Sequence, residues 1–345
     1  MQEHSRFIRA CRGEVHDTVP VWFMRQAGRY QPSYRALRQK HSMLEIARTP
    51  TLLTEVTVRP VEELGVDAAI LFSDIMIPLK PMGIDFDIKE SVGPVVFDPI
   101  RSWDHVQRLT PFVAADVEFV LEGIERAVER LGEVPLIGFS GAPFTLASYA
   151  VEGGPSRDYR WTKRLLWTEP KTFHALMTHL ADMVIAYLTA QIAAGAAAIQ
   201  IFDSWVGSLS SRDYVSSVHP HMVRIFEALK PFNVPLIYFG VVTQHLLPYM
   251  KNTGATVLGV DWRTPLIEAR RLLGSGIALQ GNLDPERLIS GMEPMRAGAH
   301  ELLDMMGNDP AYIFNLRHGV PQEADPNALR QLVEWIHAWG KGGAK

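Results

Sequence analysis

Eight short apolar runs, separated for the most part by helical patterns, constrain this chain more than any other feature. The runs are Val19–Phe23, Asp67–Phe72, Pro135–Phe139, Ala197–Phe202, Pro235–Phe239, Thr256–Val260, Ile277–Gln280 and Tyr312–Asn315. They are rich in Val, Ile and Phe and nearly continuous in apolar character. Strands of that kind are buried on both faces, as in a parallel sheet covered by helices. The helical patterns are Pro50–Leu64, Ala114–Leu131, Pro170–Ala194, Asp213–Leu229, Val242–Lys251, Thr264–Leu273 and Glu293–Met306, with Asp325–Trp339 closing the chain. In Ala114–Leu131, the residues Val117, Val120, Leu121, Ile124 and Val128 make a 3.6-residue stripe, and Glu118, Glu122, Glu125 and Glu129 occupy the opposite face.

Strand–helix alternation of this kind reads as α/β. Eight units favour closure into a (β/α)8 TIM barrel over an open, doubly wound sheet. Such a barrel needs about 250 residues before insertions. The 345 residues therefore accommodate one decorated barrel domain, 1–345, with an N-terminal extension. Pro78–Arg101 breaks the alternation. Its apolar pieces Ile84–Ile88 and Val95–Phe97 flank Gly93 and Pro94, which predicts a hairpin inserted after the second strand.

A formal charge of -4 argues against nucleic acid or a membrane surface as a general partner. Any anionic ligand must be met by locally gathered arginines. Cys11 is the only cysteine, so neither an internal disulfide nor a thiolate metal cluster can form. The N-terminal MQEHSRFIRACRG lacks the apolar run of a secretory signal. No segment reads as a membrane helix of roughly 20 apolar residues. A soluble cytoplasmic protein is the expectation. Dinucleotide and P-loop fingerprints, HExxH and the nucleophile elbow are missing from the sequence. His219-Pro220-His221 reads as a helix-start turn rather than a metal site.

Barrels of this type carry their chemistry on loops at the carboxyl ends of the strands. Here compact polar motifs follow the strands: Met24–Tyr30, Ser73–Ile75, Ser140–Thr145, Asp203–Trp205, Asp261–Arg263, Gly281–Asp284 and Arg317–Gly319. On closure they converge on one mouth, which would hold Arg25, Arg29, Asp74 and His318, with Arg263 and Arg317 at its edge. Guanidinium pairs bidentately with carboxylate and keeps its charge. Several around one acid point to a polyanionic ligand with a cationic feature. Taken singly, each residue also has a structural reading. Asp74 can cap the next segment, His318 can be a satisfied core histidine, Tyr149 a half-buried aromatic, and Ser204 a turn residue.

The segments Pro20–Tyr30 (PVWFMRQAGRY), Phe72–Ile75, Gly138–Thr145 (GFSGAPFT), Phe202–Trp205, Val260–Pro265, Gln280–Pro285 and Asn315–Gly319 together resemble the uroporphyrinogen decarboxylase family. The resemblance runs from about Arg6 to Trp339. It implies a homodimer with a deep cleft at the barrel mouth. It implies removal of CO2 from the four acetate arms of an octacarboxylate tetrapyrrole, uroporphyrinogen III, without metal or organic cofactor. By resemblance, Asp74 accepts the four pyrrole N–H groups and stabilises the protonated macrocycle. Arg25 lies near the reacting arm and acts as acid or positions one. Arg29 and His318 bind carboxylates. Tyr149 and Ser204 hydrogen-bond an acetate or orient Asp74, and Gln26, Ile75 and Phe202 line the cleft. One departure is Arg317, where the family usually has glycine before the histidine. Two alternatives stay open: a corrinoid-related methyltransferase of the same barrel group, and a non-catalytic tetrapyrrole binder.

Overall fold

The computed structural model describes residues 2–89, 92–316 and 319–339. Its strands are β1 (Ala69–Ile70), β2 (Phe86–Lys89), β3 (Gly93–Val96), β4 (Leu136–Gly141), β5 (Ala198–Asp203), β6 (Leu236–Gly240), β7 (Val257–Gly259), β8 (Ala278–Leu283) and β9 (Tyr312–Leu316). Seven are parallel neighbours in the order β1-β4-β5-β6-β7-β8-β9, while β2 and β3 form a separate antiparallel pair. The sheet curls. Val21 bridges Phe314 in parallel, and the Asp67 N–H donates to the Val21 carbonyl at 2.8 Å. Pro20–Trp22 therefore lies between β9 and β1. With helices packed outside, this is the architecture of a TIM-like α/β barrel.

Every residue of β4 and β8 is buried, as two covered faces require. Polar groups inside the curl pair with one another: Trp22 Nε1 donates to Gln280 Oε1 at 3.0 Å, and Gln280 Nε2 to Gln200 Oε1 at 2.9 Å. Of the expected stripe, Val117, Val120 and Ile124 are buried while Leu121 and Val128 are half-buried, and the helix Glu118–Leu131 buries Ala127 and Leu131 in addition.

Elements differ from the sequence expectation where side chains replace the backbone ladder. Val19–Phe23 makes a single bridge rather than a strand, because the Asp67 carboxylate takes the Val21 N–H at 2.7 Å. Asp213–Leu229 is two helices, Ser211–Ser217 and His219–Leu229. They part at Val218, and Pro220 suits the first turn of the second. Ser140–Thr145 is not a loop. β4 runs through Gly141, and Pro143 opens the helix Pro143–Glu152, which carries Tyr149.

One expectation about membranes needs correction. Helix Pro170–Ala193 is long and apolar enough, by length and composition, to cross a bilayer. Half of its apolar window is buried inside the protein, with Phe173, Leu180 and Tyr187 in the core. Its apolar character is thus explained by packing against its neighbours.

Candidate active site

The segment after Trp22 turns sharply because its backbone groups are taken up by side chains. Asn315 Oδ1, at the end of β9, accepts the Met24 N–H at 3.1 Å. Gln26 Oε1 accepts the Phe23 N–H at 3.2 Å, and Gln26 Nε2 donates to the Ala68 carbonyl at 3.1 Å. The Tyr30 hydroxyl closes the turn on the Gln26 carbonyl at 2.6 Å. Arg25 sits at the apex with φ 54°, a left-handed conformation that costs a non-glycine residue energy.

Asp74 enters from the next stave. Its Oδ1 accepts the Met76 N–H at 2.8 Å, folding the carboxylate over the turn that follows β1. Burial raises the Asp74 pKa; the Met76 N–H and the Arg25 cation pull the other way. Arg25 is open to water at its surface, yet desolvation is the largest cause lowering its pKa. The two observations agree if the guanidinium stands in a narrow recess that water reaches but protein surrounds. Tyr149, Asp74 and Arg29 all act on Arg25 electrostatically, which places all three near its guanidinium.

Tyr149 projects from helix Pro143–Glu152. Its pKa is raised by burial and by Asp74 and lowered by Arg25. Its ring lies 3.9 Å from that of Trp205, which also meets Tyr159 at 5.1 Å. Phe202 is half-buried and edge-on to Phe139 and Phe239, at 5.5 and 6.0 Å. Ile75 and Ser204 are half-buried, and Arg29 is exposed. Gln26 is fully buried. With its amide engaged at both ends it splints the loop, which puts it behind the recess rather than on its lining. Arg317 and His318 lie outside the described residues.

Further participants were not legible as such in the sequence. Asp203, fully buried, accepts from Thr145 Oγ1 at 2.7 Å and from the Tyr238 hydroxyl at 2.8 Å. Thr145 Oγ1 in turn accepts the Trp205 N–H at 3.3 Å. Burial raises the Asp203 pKa to about 6 against both hydroxyl donors. The adjacency of Asp203 and Ser204 was the only available signal for this brace. Tyr187 comes from the middle of the long helix. Its hydroxyl and that of Ser73 are buried beside Asp74 without a well-formed hydrogen bond. No local pattern marks Tyr187, since it belongs to an ordinary core stripe. Gly319 lies against Arg25, where a Cβ would fall 2.8 Å from Cδ and 2.9 Å from Cβ and Cγ.

A parallel α/β barrel with a desolvated carboxylate, arginines and a tyrosine at the carboxyl ends of its strands has the form of a barrel enzyme. Comparison with known proteins narrows that class. The family model described as uroporphyrinogen decarboxylase (URO-D) matches residues 2–339. Uroporphyrinogen decarboxylase of Streptomyces avermitilis is 50% identical over 333 residues, covering 96% of this chain and 94% of that one. The protein of the same name from a Geobacillus species, strain WCH70, is 51% identical over 337 residues, covering 97% of each. Among solved structures, a methyltransferase from Methanosarcina mazei superimposes with a TM-score of 0.79 at 20% identity, over 96% of this chain and 98% of that one; this likeness concerns the fold. The chain belongs to the uroporphyrinogen decarboxylase family. It is a carboxy-lyase of tetrapyrrole biosynthesis.

Proposed function

We propose that this chain converts uroporphyrinogen III to coproporphyrinogen III by removing CO2 from all four acetate arms, with Asp74 and Arg25 as catalytic residues. The single observation that carries the residue assignment is that Asp74 and Arg25, after adjoining staves, stand close enough to act on each other's charge. In this reading Pro20–Trp22 is the first of the eight staves of a (β/α)8 domain spanning 1–345, and the β2–β3 pair is the insertion after the second stave. The family resemblance supports a cytoplasmic homodimer.

Each turnover needs an electron sink beside the acetate arm. Protonating the ring carbon next to the one that bears the arm makes an iminium-like cation conjugated to it. The bond to CO2 then breaks, and its electron pair becomes an exocyclic double bond. A proton on the CH2 carbon makes the methyl group, and the ring carbon returns its own proton. The net change per arm is one proton taken up and one CO2 released.

Asp74 accepts the inward-pointing pyrrole N–H groups and faces the transient cation. A carboxylate about 4 Å from such a charge contributes on the order of 4 kcal/mol at an effective dielectric of about 20, roughly a thousandfold in rate. Arg25 holds the reacting arm. With a guanidinium pKa ordinarily above about 12, it positions the proton source, water or a substrate carboxyl, more readily than it donates. Tyr149 and Ser204 hydrogen-bond an acetate, Arg29 and His318 bind further carboxylates, and Ile75 and Phe202 form apolar walls. Gln26 contributes through the loop that aims Arg25.

The test is anaerobic incubation with uroporphyrinogen III, counting product carboxyl groups by chromatography. Wild-type protein yields the tetracarboxylate. Asp74→Ala lowers turnover by about a thousandfold while circular dichroism stays unchanged. Near-normal turnover by that variant overturns the role given to Asp74.

A further inference from the structure

At the carboxyl ends of β6 and β7, Val242, Gln244, His245, Arg263 and Thr264 line a cavity of about 340 Å³. The first three follow β6 and the last two follow β7. β7 is reached from β1 through β4, β5 and β6, or equally through Pro20–Trp22, β9 and β8. It is therefore the stave opposite Asp74, whereas Arg25 and Arg29 follow the stave adjoining it.

Behind the cavity wall stands Asp261, which is 1% exposed. One of its oxygens accepts the Val242 N–H at 3.3 Å and the other the Arg263 N–H at 2.9 Å. Arg263 Nη1 reaches both oxygens at 3.0 Å. The acid thus ties two loops together and grips the guanidinium by one nitrogen. Arg263 Nε and Nη2 make no hydrogen bond among the described residues, and the guanidinium leans on the Trp262 ring at 4.9 Å. A planar cation held at one nitrogen and resting on an aromatic ring presents its remaining donors in a defined direction.

Strain at the cavity wall is an independent observation. Val242 has φ 59°, a conformation that a β-branched residue adopts only when its surroundings impose it. Gly207 makes room for that turn, since a side chain there would collide with the Val241 and Val242 carbonyl oxygens. One buried carboxylate thus fixes both Val242 and Arg263 on the cavity wall.

We propose that this cavity is a carboxylate subsite that grips an arm of the tetrapyrrole on the edge far from Arg25, with Arg263 as the binding group and Asp261 as its positioning residue. The inference rests on the function proposed above. A macrocycle centred over Asp74 carries carboxylates on every side, and the arginines after the first stave serve one side only. Acetate and propionate arms offer the same chemistry here, but only propionates survive all four rounds.

Steady-state kinetics of Arg263→Gln with the octacarboxylate and with the pentacarboxylate, which retains one acetate, tests this. KM for the octacarboxylate is expected to rise about tenfold, the effect of one charge-assisted hydrogen bond, with a smaller change in kcat and partial recovery in Arg263→Lys. An equal rise for both substrates assigns a propionate to the subsite, and a rise confined to the octacarboxylate assigns an acetate. Unchanged KM for both, beside a wild-type enzyme that turns over normally, overturns the subsite and leaves the decarboxylase reading intact. A fall in kcat with a lowered Tm and unaltered KM also overturns it. Failure of the wild type to decarboxylate removes the reading underneath.

Discussion

The rings of Tyr149 and Trp205 lie 3.9 Å apart, tilted by 37°, and this stack joins the helix after β4 to the loop after β5. Trp205 is itself held through Thr145 to the buried Asp203. Tyr149 is thereby placed beside Asp74 and Arg25 without a hydrogen bond of its own being required. An aromatic pair of this kind contributes about 0.5–1.5 kcal/mol beyond its buried area.

Trp205→Leu is accordingly expected to raise KM several-fold, in the range that stacking energy implies. Tyr149→Phe keeps the stack and removes the hydroxyl. If Trp205 acts by aiming that hydroxyl, the double variant is no worse than Tyr149→Phe alone, a non-additivity that a double-mutant cycle measures directly. Additive losses would separate the two residues.

Arg25 and Asp74 hold one another in their charged forms. Removing the cation by Arg25→Gln raises the Asp74 pKa further, because only the Met76 N–H then opposes burial. The acid limb of kcat/KM, which reports groups of the free enzyme, moves to higher pH in the variant. Where residual turnover is too slow, carboxyl NMR titration of Asp74 gives the same answer. A limb that stays in place would show that another group governs it.

Asp203 links stability to pH in a direction unusual for a carboxylate. Its folded pKa is raised to about 6 from 3.8, so the folded state binds the proton more tightly than the unfolded chain. The stabilisation is fully present below the unfolded value and is lost as pH rises through the folded one. The loss is on the order of 3 kcal/mol. Urea denaturation at several values between about pH 4 and pH 7 should show wild-type protein losing stability relative to Asp203→Asn. Parallel curves would mean that Asp203 ionises normally.

Gly319→Ala places a methyl group against the stem of Arg25. Arg25 is fixed by its backbone conformation, so the side chain must shift within the recess. A displacement of about 1 Å can cost on the order of a hundredfold in rate. Turnover should fall to that extent with Tm nearly unchanged, and unaffected kinetics would show that Arg25 need not occupy its present position.

Much of the architecture was readable because it depends on local regularities. Two-sided burial leaves continuous apolar runs such as Leu136–Phe139, and helix Glu118–Leu131 writes its buried face at every third or fourth residue. The placement of polar groups at strand ends was also readable, since Arg25, Asp74 and Ser204 follow apolar runs in the sequence. What the sequence could not separate was which polar residues line the site and which brace it. Gln26 and Asp203 stand in the same motifs as Arg25 and Ser204, yet both turn inward and spend their polar atoms on neighbours.

By itself, then, the sequence determined the order of staves and helices and the chemical inventory of their ends, because periodicity and turn-forming residues act over a few positions. Only the tertiary structure decided that Tyr187 and Gly319 belong beside Asp74 and Arg25, and that the stave before Arg263 lies opposite that of Asp74. Those relationships arise when staves far apart in the chain are brought around one axis, and no short-range pattern encodes that closure.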